Sequence, residues 1–113
     1  MSSPRRKILV ADRDEIVVAL ISHLLHRQGY AVEVALTTDE AAARLNGRQY
    51  AAILLDGGFS RLLQQAPQLA PRTILLSPKP TDTDLPVHAI ILKPIELQLL
   101  IDTVNECAKE SGE

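Results

Sequence analysis

The sequence predicts an α/β fold, with a five-stranded parallel sheet covered by helices on both faces. Short apolar runs of four or five residues recur along the chain, and helix-like or loop-like segments separate them. Apolar runs of this length are typical of parallel strands that are buried on both sides. The runs KILVA, AAILL, TILL and AIIL are followed by Asp12, Asp56, Ser77 and Lys93 respectively. Because parallel strands place ligand chemistry at their carboxyl ends, these four polar residues are expected to meet in one crevice.

Composition predicts a single domain spanning residues 1–113. A chain of 113 residues with 46% hydrophobic content can bury its own core, and its net charge of −2 gives no basis for nonspecific binding to nucleic acid. No stretch is apolar enough to span a membrane, and MSSPRRK lacks the apolar core of a secretory signal. The one cysteine excludes an internal disulfide. We therefore expect a cytoplasmic protein with no nucleic-acid or membrane partner.

The first half of the chain alternates helix and strand signals. Residues 14–28 carry apolar side chains at helical spacing, and Gly29 supplies a helix-ending signal. The following AVEVAL alternates apolar and polar positions, which is typical of a strand near a sheet edge. Thr37 and Glu40 then form a capping-box pattern that begins a second helix, which is expected to end at Asn46–Gly47.

The middle of the chain predicts shortened helices. A third strand at residues 51–56 leads through two glycines into SRLLQQA, which allows only about two helical turns before Pro67. The third helix is therefore expected to be short. After the fourth strand, PKPTDTDLP contains three prolines and no apolar periodicity. The helix between the fourth and fifth strands, helix 4 of such a fold, is expected to be reduced or missing.

The closing segment predicts an amphipathic helix packed on the sheet. Leu97, Leu100, Ile101 and Val104 recur at helical spacing, while the residues from Lys109 onward are polar and are expected to fray into solvent.

Alternating units with right-handed crossovers predict a doubly wound, flavodoxin-like sheet with strand order 2-1-3-4-5. In this order the first and third strands are adjacent, so Asp12 and Asp56 become neighbours. Adjacent carboxylates repel one another unless a proton or a divalent cation intervenes, and oxygen ligands of this kind suit Mg²⁺. Lys93 would bring a compensating positive charge from the other side.

The residues around these strand ends resemble the receiver domain of two-component response regulators. KILVADRDE matches the first strand and acidic turn of that family, YAAILLD the strand that carries the phosphorylated aspartate, TILLS the strand that ends in a hydroxyl residue, and LKPI the Lys-Pro pair. Each match is weak alone, but the order and spacing together cover nearly the whole chain.

The resemblance implies a signalling domain rather than an enzyme. It implies that Asp56 accepts a phosphoryl group, that the Ser77 hydroxyl moves towards this group, and that Lys93 forms an ion pair with it. The resemblance further implies that the Lys93–Pro94 peptide bond is cis. It also implies an Mg²⁺ site built from Asp12, Asp56 and the backbone carbonyl of Gly58, and a sensor histidine kinase or another signalling protein as partner. The output would be a change of conformation on phosphorylation.

The chain departs from the family pattern at the metal site, where Arg13 replaces the usual second acidic residue. This change removes a possible ligand and places a positive charge near the cation, so it weakens or abolishes Mg²⁺ binding. Two arrangements remain open. Arg13 could point away while Asp14 supplies the missing carboxylate, or Arg13 could lie over Asp56 and replace the metal through a bidentate bond.

Two further departures concern the signal. Ile90 occupies the position where the family usually has Tyr or Phe, and the spacings from Asp56 to Ser77 and from Ser77 to Lys93 are short. In this family the helix between the fourth and fifth strands and its flanks commonly form the dimer and partner contacts. Because that region is shortened here, a homodimer would need a non-standard surface. The alternative function is a phosphorylation-independent pseudo-receiver that acts as a protein-interaction module.

Simpler interpretations also exist for the single residues of the site. Asp56 could cap the helix that follows it, and Asp12 and Asp14 could favour the start of the first helix without any metal. Ser77 could be a turn residue, and Lys93 a solvated charge.

No metal binding or reactivity is expected of the histidines on the first helix or of the cysteine. His23 and His26 lack a third metal ligand, and Cys107 is expected to be a small buried hydrophobe. A flavin-binding or enzymatic role is disfavoured, because the chain has no Gly-rich phosphate loop, no tryptophan and only two tyrosines and one phenylalanine.

Overall fold

The computed structural model describes residues 5–79 and 85–112. Its centre is a five-stranded sheet of order β2-β1-β3-β4-β5, in which all neighbouring strands are parallel. This architecture confirms the predicted fold class and strand order. The strands are β1 (Lys7–Ala11), β2 (Ala31–Ala35), β3 (Ala52–Asp56), β4 (Thr73–Ser77) and β5 (Ala89–Leu92).

Helices cover both faces of the sheet and divide the core into two layers. The α-helices are α1 (Glu15–Arg27), α2 (Thr38–Leu45), α3 (Arg61–Gln65) and α4 (Leu97–Gly112), with 3-10 helices at Gly57–Phe59 and Pro67–Arg72. One layer packs α1 and α4 on the sheet and contains Ile8, Leu54 and Leu100; the other packs α2 and α3 and contains Leu9 and Ile53. The central strands are therefore apolar on both faces, as their sequences require.

Helix ends follow the predicted capping signals. Asp14 caps α1 by accepting hydrogen bonds from the amides of Ile16 and Val17, and Gly29 follows the helix with a φ of 97°. Thr37 caps α2 by accepting from the amide of Glu40. These side chains satisfy backbone groups that a helix terminus leaves without an intrahelical partner.

The structure corrects two details of the third and closing helices. Helix α3 is short, as predicted, but the chain then forms a 3-10 helix that the sequence pattern did not indicate, with Pro67 in its first turn. Proline suits that position because its missing N–H would have no partner there. The expected fraying from Lys109 is wrong, since α4 continues to Gly112. The Arg6 guanidinium donates to the carbonyl of Ala108 in this helix.

The connection between β4 and β5 contains no helix within its described residues, 78–79 and 85–88. The prediction that the helix between β4 and β5 is reduced or missing therefore holds for that part of the connection. Residues 80–84 lie outside the described residues. Within residues 5–79 and 85–112, no helix has the length and apolar character needed to cross a membrane.

Candidate functional site

The four polar residues predicted to meet all lie at the carboxyl edge of the sheet. Ala11 pairs with Leu55, so Asp12 and Asp56 follow matching positions of β1 and β3. On the other side, Ser77 pairs with Leu92, the residue before Lys93. Parallel register alone therefore brings the ends of four strands to one place.

Lys93 joins the two carboxylates directly. Its Nζ lies 2.8 Å from Oδ2 of Asp12 and 2.7 Å from Oδ1 of Asp56. The Lys93–Pro94 bond is cis, as the sequence resemblance implied. The backbone amide of Lys93 also donates to the carbonyl of Ser77 at 2.7 Å, which ties the ends of β4 and β5 together.

The charge pattern keeps Lys93 protonated. Partial burial by itself would lower the pKa of Lys93, but its hydrogen bonds to Asp12 and Asp56 and their negative charges outweigh this effect, so the pKa is raised. Asp12 is only 3% exposed, and its charge needs such a partner because solvent cannot screen it. One ammonium group between two carboxylates leaves one negative charge in excess.

The remaining carboxylate oxygens accept hydrogen bonds from the backbone. Oδ1 of Asp12 accepts from the amide of Asp14 at 2.9 Å, and Oδ2 of Asp56 accepts from the amide of Gly58 at 3.0 Å. Asp56 thereby caps the 3-10 helix that follows it. The capping interpretation and the site interpretation of Asp56 thus describe the same geometry. A Cβ at Gly58 would lie 3.2 Å from Oδ2 of Asp56, so a residue without a side chain suits this turn.

Ser77 is buried, but its hydroxyl is directed along its own loop. The hydroxyl donates to the carbonyl of Lys79 at 2.6 Å, and the amide of Lys79 approaches the same oxygen at 3.4 Å. To contact a group on Asp56, the hydroxyl must first leave the carbonyl of Lys79. This geometry agrees with a residue that changes partner during a switch, and the predicted role of Ser77 stays a prediction.

Arg13 adopts an arrangement between the two that the sequence left open. Its exposed side chain places the guanidinium carbon 5.7 Å from the centre of the Phe59 ring, within the range of a cation–π contact. It forms no ion pair within residues 5–79 and 85–112, so the bidentate bond to Asp56 is not formed. Asp14 uses its carboxylate to cap α1. Arg13 is therefore held over the turn that Asp56 begins.

The residues as arranged do not fit Mg²⁺ well. This ion requires close to six oxygen ligands in near-octahedral geometry. Lys93 already lies between the carboxylates of Asp12 and Asp56, and each of their four oxygens accepts a hydrogen bond. The formal charges of Asp12, Asp56, Lys93 and Arg13 sum to zero. A divalent cation would have to displace one ammonium group and lie near a guanidinium.

The structure adds one polar cluster that sequence reasoning missed. His88, just before β5, lies between two glutamates of α4, with Nε2 3.3 Å from Glu106 and Nδ1 3.7 Å from Glu110. Within residues 5–79 and 85–112, this is the only group of three His, Cys, Asp or Glu side chains whose ligand atoms all lie within 4.8 Å of one another. The spacing of four between the glutamates was visible in the sequence, but the position of His88 beside them was not. The cluster joins the start of β5 to α4.

The other reactive side chains lie as predicted or play no part in the pocket. His23 and His26 are exposed on α1. Cys107 is buried, and burial raises the pKa of its thiol to about 11. A thiol in this state is a poor nucleophile and packs as a small apolar group, which confirms the expectation.

Comparisons with solved structures identify the fold. The chain superposes on a response regulator receiver domain protein from Methanospirillum hungatei with a TM-score of 0.86 and 23% identity, covering 96% of this chain and 97% of that one. The receiver domain of response regulator 1452 from Francisella matches with 0.81 and 22%, covering 96% and 100%. A receiver domain of a histidine kinase from Syntrophus aciditrophicus matches with 0.77 and 21%, covering 93% and 91%.

These matches cover nearly the whole chain at low sequence identity, so they establish the receiver-domain fold. No protein-family model and no curated protein matches the sequence itself. This likeness shows the fold, and the function depends on the residues at the carboxyl edge of the sheet.

Proposed function

We propose that the chain is a receiver domain of a two-component phosphorelay, which accepts a phosphoryl group on Asp56 and signals by a change of conformation. The observation that carries this proposal is the position of the Lys93 ammonium group, which lies within 2.8 Å of both Asp12 and Asp56 at the carboxyl edge of the sheet. A lysine that only needed solvent would not bridge two carboxylates there. The fold shared with receiver domains supports the same conclusion.

The chemistry is nucleophilic attack by the Asp56 carboxylate on phosphorus. One carboxylate oxygen forms a bond to the phosphorus of the donor, which is a phosphohistidine of a sensor histidine kinase or a small acyl phosphate. The bond between phosphorus and the leaving nitrogen or oxygen breaks, and its electron pair stays with the leaving group. Asp56 becomes an acyl phosphate, and Lys93 offsets part of the charge on the phosphoryl oxygens.

The signal arises at Ser77. Its hydroxyl exchanges the carbonyl of Lys79 for a phosphoryl oxygen, and the loop that follows β4 loses the hydrogen bond that holds its first residues. Because the amide of Lys93 donates to the carbonyl of Ser77, the ends of β4 and β5 move as a unit. A signalling partner in the cytoplasm reads this rearranged edge.

The test is to incubate the chain with acetyl phosphate or phosphoramidate and to measure its intact mass over time. We expect the mass of one added phosphate in the wild type and none in Asp56→Asn. Asp39→Asn, which alters an exposed aspartate in the first turn of α2, is the matched control and should be modified like the wild type. Modification of Asp56→Asn would place the phosphate elsewhere and contradict the proposal.

A second candidate function is a pseudo-receiver whose contacts do not depend on phosphorylation. It is favoured by the hydrogen bonds that all four carboxylate oxygens of Asp12 and Asp56 already accept, and by Ile90 in place of an aromatic residue. In that case neither donor changes the mass or the amide NMR spectrum of the chain. A shift of the Ser77 and Lys79 amide signals that requires Asp56 would exclude it.

A further inference from the structure

Lys93 alone does not balance the negative charge of the pocket. Before modification, Lys93 leaves one negative charge in excess on Asp12 and Asp56. An acyl phosphate on Asp56 carries close to two negative charges in place of one. The excess then doubles at a site where Asp12 is shielded from solvent. A further cation is needed to stabilise the modified state.

Arg13 is placed to supply this charge. It follows Asp12 directly, and its guanidinium lies over Phe59, a buried residue in the 3-10 turn that Asp56 caps. A stacking contact on an exposed side is weak, so rotation about the Arg13 side-chain bonds costs little. The planar guanidinium can donate two parallel hydrogen bonds to phosphoryl oxygens.

The alternative source of charge, a divalent cation, competes with the same residues. Lys93 occupies the space between the two carboxylates, and Arg13, the residue after Asp12, adds a positive charge rather than a further oxygen ligand. Replacing Arg13 by aspartate would lower the formal charge of the pocket by two, which is the charge that one divalent cation contributes. The guanidinium and the cation are thus alternative solutions to one electrostatic problem.

We propose that Arg13 is the phosphoryl-binding cation of this pocket and that phosphoryl transfer to Asp56 proceeds without a divalent metal ion. This inference rests on the proposed function. On phosphorylation the guanidinium leaves the Phe59 ring and donates to two phosphoryl oxygens, while Lys93 remains paired with Asp12 and the phosphoryl group. Arg13 is then a catalytic residue, since it contacts the group being transferred.

The test measures the rate of phosphate addition from acetyl phosphate by intact mass, with either a chelator or Mg²⁺ present. The wild type should react at rates that agree within about threefold in the two conditions. Arg13→Ala should slow the reaction in chelator by about a hundredfold, the usual effect of removing one group that stabilises transition-state charge. Arg13→Lys should retain part of the rate, because it keeps the charge but loses the bidentate geometry. Arg27→Ala removes an exposed arginine at the other end of α1 and should react like the wild type.

Arg13→Asp provides the decisive variant. It should be inactive in chelator and regain at least tenfold in rate with Mg²⁺, and calorimetric titration should show at least tenfold tighter Mg²⁺ binding than in the wild type. Thermal unfolding of each variant verifies that the fold is retained.

The outcomes separate this inference from the proposed function. A wild type that is phosphorylated only with Mg²⁺, at a rate that Arg13→Ala leaves unchanged, overturns the role of Arg13 and keeps the receiver function. A wild type that no donor modifies in either condition overturns the receiver function, and the role of Arg13 with it.

Discussion

Two charged clusters on the same sheet show opposite designs. At the carboxyl edge, one cation, Lys93, bridges two carboxylates, of which Asp12 is almost fully buried. On β2, an edge strand of the sheet, the carboxylate of Glu33 is surrounded by cations. We refer to Glu33, Tyr50 and the basic residues Lys7, Arg44 and Arg48 as the Glu33 cluster.

In the Glu33 cluster, several groups share the contacts to one carboxylate. The Tyr50 hydroxyl donates to Glu33 at 2.6 Å and Arg48 does so at 3.0 Å, while Lys7 and Arg44 lie 3.8 Å away. The hydrogen bond from Tyr50 is the main cause that lowers the pKa of Glu33; burial opposes it, and Arg48 and then Lys7 lower the pKa further. These basic side chains are about half exposed, so solvent and salt screen them.

The difference between the clusters separates a structural role from a functional one. Losing one cation from the Glu33 cluster leaves two others close to the carboxylate, so the cluster tolerates change. Losing Lys93 leaves two facing carboxylates with no other cation paired to them among the described residues. A site that depends on one group in this way is poorly built for stability alone, and it responds strongly to a change of charge. The following predictions test this contrast.

The largest effect is expected for Lys93→Gln. Removing the ammonium group should lower the free energy of unfolding by about 1 to 3 kcal/mol, less than the cost of breaking a fully buried pair because Lys93 is partly exposed. Urea unfolding at neutral pH measures this loss. Adding Asp56→Asn to Lys93→Gln should restore most of the stability, because it removes the repulsion between Asp12 and Asp56. Lys79→Gln, at the same edge of the sheet, is the control and should change stability by less than about 0.5 kcal/mol. Equal losses for the two lysines would remove the contrast.

A smaller effect is expected for Tyr50→Phe. Tyr50 is buried, and its hydroxyl approaches both Glu33 and the carbonyl of Arg44, so its loss should cost about 1 to 2 kcal/mol. Tyr30→Phe is the matched control, since the hydroxyl of Tyr30 donates to the exposed Asn105 and should matter less. Urea unfolding of the pair gives the comparison. A larger loss in Tyr30→Phe would show that burial does not set the value of these hydrogen bonds.

Glu33→Gln should destabilise the chain by less than about 1 kcal/mol. The pKa of Glu33 is lowered by folding, so its charge adds stability above the ordinary pKa of 4.5, and this stability disappears as the pH falls through the folded-state value. The wild type and Glu33→Gln should therefore converge in stability in acid. High salt should shrink their difference at neutral pH, whereas the cost of Lys93→Gln should change little. A salt-insensitive loss in Glu33→Gln would place this cluster in the same class as the pocket.

The smallest effect is spectroscopic and concerns the titration of Tyr30 and Tyr50 in alkali. Burial, followed by the hydrogen bond to Glu33, raises the pKa of Tyr50 to about 12, and burial also raises the pKa of Tyr30. Both pKa values exceed the ordinary value of 10.0, so the stability that the protonated phenols contribute is complete below that pH. For Tyr50 this contribution is lost as the pH rises through about 12. The chain has no tryptophan, so its tyrosinate absorbance can be followed directly. This absorbance should stay low as the pH passes the ordinary tyrosine pKa of 10.0 and rise only at higher pH. Tyr50→Phe should lack the part of the rise that occurs at the highest pH. A normal titration of both tyrosines would contradict the raised pKa of Tyr50.

Most of the framework of the site was predictable from local sequence. The apolar runs identified four of the strands, and the residues after them identified Asp12, Asp56, Ser77 and Lys93 as neighbours, because parallel strands bring their carboxyl ends to one edge. Capping signals such as Thr37 placed helix starts correctly, since a cap depends on residues within one turn.

The missed features depend on residues far apart in the chain. The closing helix extends to Gly112, and Arg6, which lies far away in the sequence, donates to the carbonyl of Ala108 in this helix. His88 meets Glu106 and Glu110 only because β5 and α4 pack together. A pattern read along the sequence contains no information on such contacts.

The sequence by itself determined the order of elements and the polar residues that end the strands, because hydrophobic periodicity and turn chemistry act over a few neighbouring residues. The strand order followed from the rule that crossovers between parallel strands are right-handed. Only the tertiary structure decided what the side chains do there: that Lys93 bridges both carboxylates, that the Ser77 hydroxyl faces Lys79, and that Arg13 lies over Phe59. The direction of a side chain depends on partners brought close by folding, and the same residue types permit several arrangements until those partners are in place.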